Sequence, residues 1–152
     1  MSQGKNQQLY TLLQIRQTET KEALLKLRQI QQQFIQLRQR HEQLFQYRKE
    51  YEQQISQIGQ EGCRLAQMRN RLEFIQQLDS AMGQAGKQIA EVAKERREAE
   101  RLVQEKKRAE ESLKKLLERA EDYQQYQENC REQKENDELG QKQWYSKPNS
   151  SK

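Results

Sequence analysis

Read from Leu9, apolar positions recur at alternating steps of four and three residues: Leu9, Leu13, Arg16, Thr20, Ala23, Leu27, Ile30, Phe34, Leu37, His41, Leu44, Arg48, Tyr51, Ile55 and Ile58. Most of these are apolar or aromatic, and the residues between them are mainly Gln, Arg, Lys and Glu. A stripe sustained for about seven heptads exceeds the three or four that define a coiled-coil seam. At 1.5 Å per residue it predicts a helix on the order of 80 Å long over about residues 5–58.

A helix of this kind needs a mate for its stripe, and the rest of the chain supplies one. Gly59, just past Ile58, suits the left-handed position that ends a helix, and Gly62 gives freedom to turn. The pattern therefore predicts a turn over about 59–64 and a second helix over about 65–140. No strong Ser, Thr, Asp or Asn cap opens that helix near Cys63. Its stripe reads Met68, Leu72, Ile75, Leu78, Met82, Ala85, Ile89, Val92, Arg96, Ala99, Val103 and Lys106, then Leu113, Leu117 and Ala120. The two consecutive steps of three at Ile75 and Leu78 interrupt the heptad and predict local overwinding just beyond the tip. The predicted fold is all-α: a long antiparallel two-helix coiled-coil hairpin, a single coiled-coil domain over 1–152.

If the turn is centred near residue 62, Leu27 faces the region of Arg97, Phe34 faces Ala90 and His41 faces Gly83. Gly83 and Gly86 within a helix each cost about 1 kcal/mol relative to Ala. Two readings account for them: the small patch admits Phe34, Leu37 and His41 across the seam, or it forms a flexible joint in the second arm.

Composition sharpens this picture. Leu, Ile, Val and Phe total 28 of 152 residues, about 18% and low enough to raise intrinsic disorder as a rival. The 28 basic and 23 acidic residues interleave to a net charge of only +5, and the apolar residues are periodic, which favours exposed helices over disorder. A thick globular core is excluded. There is no run of 18 apolar residues and no apolar segment at MSQGKNQQLY to act as a signal peptide, so a cytoplasmic protein is expected. Cys63 and Cys130 lack the spacing of a metal site and read as small helix residues.

Past Ala120 the first helix has no residues left to pair with, so residues 121–143 are expected to project as an overhang. It carries seven acidic and three basic residues. Gly140 is expected to end the helix, with a disordered tail over about 141–152. A solitary helix this polar is marginal in water, which makes it a candidate binding element. Tyr123, Tyr126 and Cys130 form a modest apolar face, edged by Glu128, Glu132, Glu135 and Asp137.

Enzyme chemistry is not indicated. The one histidine, His41, sits on the stripe, the carboxylates lie on exposed helices rather than in a pocket, and no glycine-rich phosphate loop exists. No catalytic, cofactor or metal residue is assigned. The run KQIAEVAKERREAERLVQEKKRAEESLKKLLER alternates basic and acidic residues, which reads as a solvated face and argues against nucleic-acid binding despite a pI near 9.2.

The succession LFQYRKEY, a short glycine-containing turn, RLEFIQQLDSAM, RREAERLVQEKKRAEESLKKLLER and the acidic ENCREQKENDEL resembles the flagellar type III export protein FliJ family over roughly residues 10–144. The resemblance implies an antiparallel coiled coil shaped like the central stalk of rotary ATP synthases. It implies a component that links the export ATPase FliI, a hexameric ring, to the membrane export-gate protein FlhA and escorts export chaperones. Such a protein serves flagellum assembly, and hence motility and chemotaxis, and sits at the cytoplasmic face of the inner membrane through its partners. The family's gate-contacting surface corresponds here to Leu44, Tyr47, Tyr51, Phe74, Leu78 and Ala81. Where the family's pattern has Gln and His at the two ends of that surface, this chain has Arg40 and Ala85. Tyr47 lies off the stripe, four residues before Tyr51, so packing alone does not account for it. The resemblance also directs the end bearing both termini toward the ATPase, which assigns ring contact to Tyr123, Tyr126, Glu128, Glu132, Glu135 and Asp137. A passive coiled-coil tether would show the same periodicity without active surfaces, and a basic helical nucleic-acid binder is the third class.

Overall fold

The computed structural model describes residues 2–60 and 65–146. Two α-helices account for them, α1 (Ser2–Gln60) and α2 (Leu65–Ser146), and there is no strand among the described residues. The two helices are packed against each other, and contacts divide the chain into two compact units, one of Met1–Thr20 with Lys106–Lys152 and one of Lys21–Glu105.

In the second unit, the seam of α1 is made by the heptad positions from Ala23 to Ile58, every one of them buried or half-buried. Their mates on α2 are Met68, Arg71, Ile75, Leu78, Met82, Ala85, Ile89, Val92, Arg96, Ala99 and Val103. The register differs from the expected one at a single place. Arg71 is half-buried and donates from Nε to Gln54 Oε1 at 3.2 Å, whereas Leu72 is 50% exposed. With Arg71 on the seam, the steps through Ile75 and Leu78 alternate between three and four, so the expected interruption is absent. The reason is geometric: keeping Ile75, Leu78 and Met82 on one stripe fixes the position one turn earlier, and an Arg stem serves there as well as a Leu because its chain packs while its head reaches solvent.

The cross-helix partners also differ from those expected of a turn at residue 62. Phe34 meets Arg96, whose guanidinium carbon lies 4.8 Å from the ring centroid, and Arg38 of its own helix lies at 5.7 Å. Gly83 and Gly86 are therefore not receptacles for large side chains, since a Cβ at either would meet nothing within 4 Å. The packing reading of these glycines is corrected, and α2 runs helical through both. Gly59 is helical too. It does not adopt the left-handed conformation expected of it, and α1 continues to Gln60. Gly62, Cys63 and the rest of the expected turn over 61–64 lie outside the described residues.

In the first unit, Leu9, Leu13, Arg16 and Thr20 of α1 face Lys106, Glu110, Leu113, Leu117, Ala120 and Gln124 of α2. Leucine side chains do the packing at Leu113 and Leu117, 8% and 6% exposed. Glu110 occupies the seam position between Lys106 and Leu113, and its carboxylate meets Lys114 Nζ at 3.4 Å. Thr20, 6% exposed, returns its hydroxyl proton to the Arg16 carbonyl at 3.0 Å, which satisfies a polar group that burial would otherwise leave unpaired. Glu19 accepts from Lys106 at 3.1 Å and from Arg16 at 3.4 Å. Further toward the end of α2, Asn6 donates to Gln124 at 2.5 Å across the helices. Beyond it every described side chain of α2 is exposed. Gly140 does not end α2, which continues to Ser146; the stronger stop in the sequence is Pro148, which disfavours helix for the residue before it. The expected tail beyond Ser146 lies outside the described residues.

Candidate interaction surfaces

Two surfaces deserve a chemical reading, one in each unit. The first, in Lys21–Glu105, is built where the Tyr-rich stretch of α1 passes the start of α2. Tyr51 is a seam residue, half-buried, and its ring stacks on Phe74 with centroids 4.6 Å apart and planes at 36°. That pair crosses from one helix to the other and fixes both rings in place. Tyr47, one turn before Tyr51 and thus on the same side of α1, is 51% exposed, and Phe74 is 39% exposed. Ala81, two turns after Phe74, is half-buried. Leu44 is half-buried and Leu78 is 6% exposed, so these two belong to the seam and support the surface from beneath.

Electrostatics mark one edge of this region. Arg48 Nε donates to Asp79 at 2.6 Å across the helices, and its Nη1 also contacts Glu52. The Asp79 hydrogen bond, aided by the nearby carboxylate charges, raises the Arg48 pKa further above its ordinary high value. Both ends of the pair are a third or more exposed, so its value is in setting the register of α1 against α2 more than in stability. The periodicity did not reveal Phe45, 39% exposed, whose ring carries the Lys49 ammonium 4.9 Å from its centroid. An aromatic followed four residues later by lysine is the signal that would have found it. Arg40 is exposed, Ala85 is 5% exposed, and His41 is half-buried at its seam position.

The second surface is the unpaired stretch of α2 in the first unit. Tyr123 and Tyr126 are 63% and 66% exposed, and Glu128, Glu132, Glu135 and Asp137 are exposed as well. One helical face brings Tyr123, Tyr126 and Cys130 together; Gln127 donates to the Tyr123 hydroxyl at 3.0 Å, and the hydrogen-bonded Cys130 thiol pushes the Tyr126 phenol upward. Three large exposed side chains were not singled out from the sequence: Leu139 at 57%, Trp144 at 72% and Tyr145 at 78%. Trp144 and Tyr145 pack edge to face with centroids 5.2 Å apart. Trp144 and Tyr145 were missed because the expected helix stop at Gly140 placed them in a tail.

No group of three His, Cys, Asp or Glu among the described residues could hold a metal ion, and no described helix is long and apolar enough to cross a membrane. Compared with known proteins, residues 5–149 match the family described as flagellar FliJ protein. No curated protein and no solved structure matches the chain.

Proposed function

Because the chain belongs to the flagellar FliJ protein family, and so is a component related to flagellar protein export, we propose that it works as a stalk-like coupling element between the export ATPase ring FliI and the export-gate protein FlhA, and that it escorts export chaperones in support of flagellum assembly, motility and chemotaxis. It acts at the cytoplasmic face of the inner membrane through these partners, without catalysis of its own. The observation that carries the reading is that each unit presents large apolar side chains that its own packing leaves uncovered: Tyr47 and Phe74 in one, Tyr123, Tyr126, Leu139, Trp144 and Tyr145 in the other. A passive tether has no use for such groups, because exposed aromatics are a liability unless a partner covers them.

The gate contact rests on Tyr47 and Phe74 as anchors, held by Tyr51, Leu78, Leu44 and Ala81. The ATPase contact rests on Tyr123 and Tyr126, with Glu128, Glu132, Glu135 and Asp137 meeting basic groups of the ring. Aromatic anchors govern how long such a complex lasts, and the carboxylates govern how fast it forms and how salt weakens it.

A two-armed binding experiment tests the division of labour. Tyr47→Ala is expected to weaken FlhA binding by about 1 to 2 kcal/mol while leaving thermal melting and ATPase stimulation unchanged. Truncation after Gln124, which keeps the Asn6 contact, is expected to abolish ATPase stimulation and leave FlhA binding intact. Full stimulation by the truncated chain would remove the ring contact from α2, and unchanged FlhA binding by Tyr47→Ala would remove the gate contact from the aromatic surface.

A further inference from the structure

Within the Lys21–Glu105 unit, small residues stand on both helices along one stretch of the seam. Ala23 and Ala99, both 7% exposed, stand where other heptad positions carry Ile, Leu or Phe, and an open groove of about 660 Å³ lies over them. Ile30 completes its floor, and Leu102, 38% exposed, stands at its side with no apolar cover. A second hollow of about 490 Å³ follows, with Leu37 and Val92 in its lining, and Glu95 borders both. The two together run along α1 from residue 23 to residue 40, on the order of 27 Å of helix at 1.5 Å per residue.

The rims of this groove differ in charge. On α2 it is bordered by Glu91, Glu95, Glu98 and Glu105, and on α1 by Lys26 and Arg40. Arg101 turns to Glu105, with Nε 3.7 Å from Oε1. Arg96 turns to Phe34 and Glu100, and neither Lys94 nor Arg97 lines the groove. Glu91, Glu95 and Glu98 make no ion pair among the described residues, and neither do Lys26 and Arg40. Carboxylates repeated at spacings of four and three weaken a helix, so the rim keeps an arrangement that helix stability alone opposes.

We propose that this groove is a docking site for an amphipathic helix of another protein, one with an aliphatic stripe and a row of Arg or Lys along the flank that meets α2. The occupant is a helix because the groove's walls are helices whose backbone groups are already bonded, leaving no strand edge to extend. Leucines on the guest fill the hollow over Ala23 and Ala99 and cover Leu102, and its basic flank pairs with Glu91, Glu95 and Glu98. The acidic rim repels nucleic acid. Arg40 stands at one end of both sites, but none of Leu44, Tyr47, Tyr51, Phe74, Leu78 and Ala81 lines the groove, so it is tested separately from the gate contact.

The test uses the full-length chain and two labelled 20-residue synthetic helical peptides that share a leucine stripe. One peptide carries arginine along one flank and the other carries glutamate there, with glutamine elsewhere. Fluorescence anisotropy is expected to show the arginine peptide binding at least tenfold more tightly. Glu95→Lys with Glu98→Lys is expected to abolish that preference, with a circular-dichroism melt no lower than the parent's because both side chains are exposed and the like-charge repulsion along the rim is relieved. Leu102→Glu distinguishes a groove from diffuse attraction. It adds negative charge, so purely electrostatic binding would strengthen, whereas a docked helix loses at least tenfold in affinity. Equal affinity for the two peptides, arginine-peptide binding untouched by the double substitution, or tighter binding by Leu102→Glu would overturn the proposal. So would a concentration-dependent dimer in sedimentation that Leu102→Glu dissolves, because the occupant would then be a second copy of this chain.

Discussion

A helix glycine with open space around it is a backbone cost without a packing return. Gly83 and Gly86 are of this kind, since a methyl group at either meets nothing within 4 Å. Gly83→Ala and Gly86→Ala are each expected to stabilise the chain by about 1 kcal/mol, read as a higher melting temperature. A lower one would mean that the glycines serve a close approach after all. Glu19 behaves oppositely, as a side chain whose state depends on its partners. Its hydrogen bond from Lys106, reinforced by the charges of Lys106 and Arg16, lowers its pKa below the ordinary 4.5. A carboxyl with a depressed folded pKa contributes stability that is complete above its unfolded value and is lost as the pH falls through the folded one. Acid titration is therefore expected to show that Glu19→Gln flattens the loss of stability below pH 4.5. The change is expected to be small because the group is solvated. An identical slope in both proteins would leave the Lys106 contact without energetic weight.

At the scale of the helix, the heptad decides which apolar residues matter. Leu72 and Leu78 are the same residue type six positions apart on α2, yet one is 50% exposed and the other 6%. Leu78→Ala is expected to cost about 2 to 3 kcal/mol, as truncation of a packed leucine does, whereas Leu72→Gln should stay within about 0.5 kcal/mol of the parent. Chemical denaturation of the two variants checks this, and comparable losses would return Leu72 to the seam. The same rule separates Tyr51 from Tyr47: one turn along the helix converts a ring that packs on Phe74 into a ring that solvent reaches. It also explains why Arg16, Arg48, Arg71 and Lys106 occupy seam positions at all, whereas Arg96 lies over the Phe34 ring with its Nε buried and without a hydrogen bond. A two-helix seam is open at both sides, so a long stem packs while its charged end leaves, as the contacts of Arg48 with Asp79 and of Lys106 with Glu19 show.

At the scale of the whole chain, α1 finds its mate within the same molecule. Spin labels at positions 34 and 96 are expected to report a short distance that persists on dilution, because Phe34 and Arg96 are in contact. A distance that lengthens on dilution would indicate helices paired between chains. The sequence by itself determined the all-α class, the two-helix hairpin and the whole seam of α1, because alternating steps of four and three on a polar background admit one face for burial. Only the tertiary structure decided the register at Arg71 over Leu72, the partner of Phe34, the pairing of α2 as far as Gln124 rather than Ala120, and the helical continuation through Gly59 and Gly140. Glycine permits a turn without requiring one, and one chain's periodicity states which face is buried but not which residue stands opposite. The candidate surfaces divide in the same way. Tyr47 was legible as an aromatic off the stripe, but the stacking of Tyr51 on Phe74, the exposed Trp144 and Tyr145, and the groove over Ala23 and Ala99 arise from how two helices lie against each other or how far one of them runs, and no single-helix pattern encodes them.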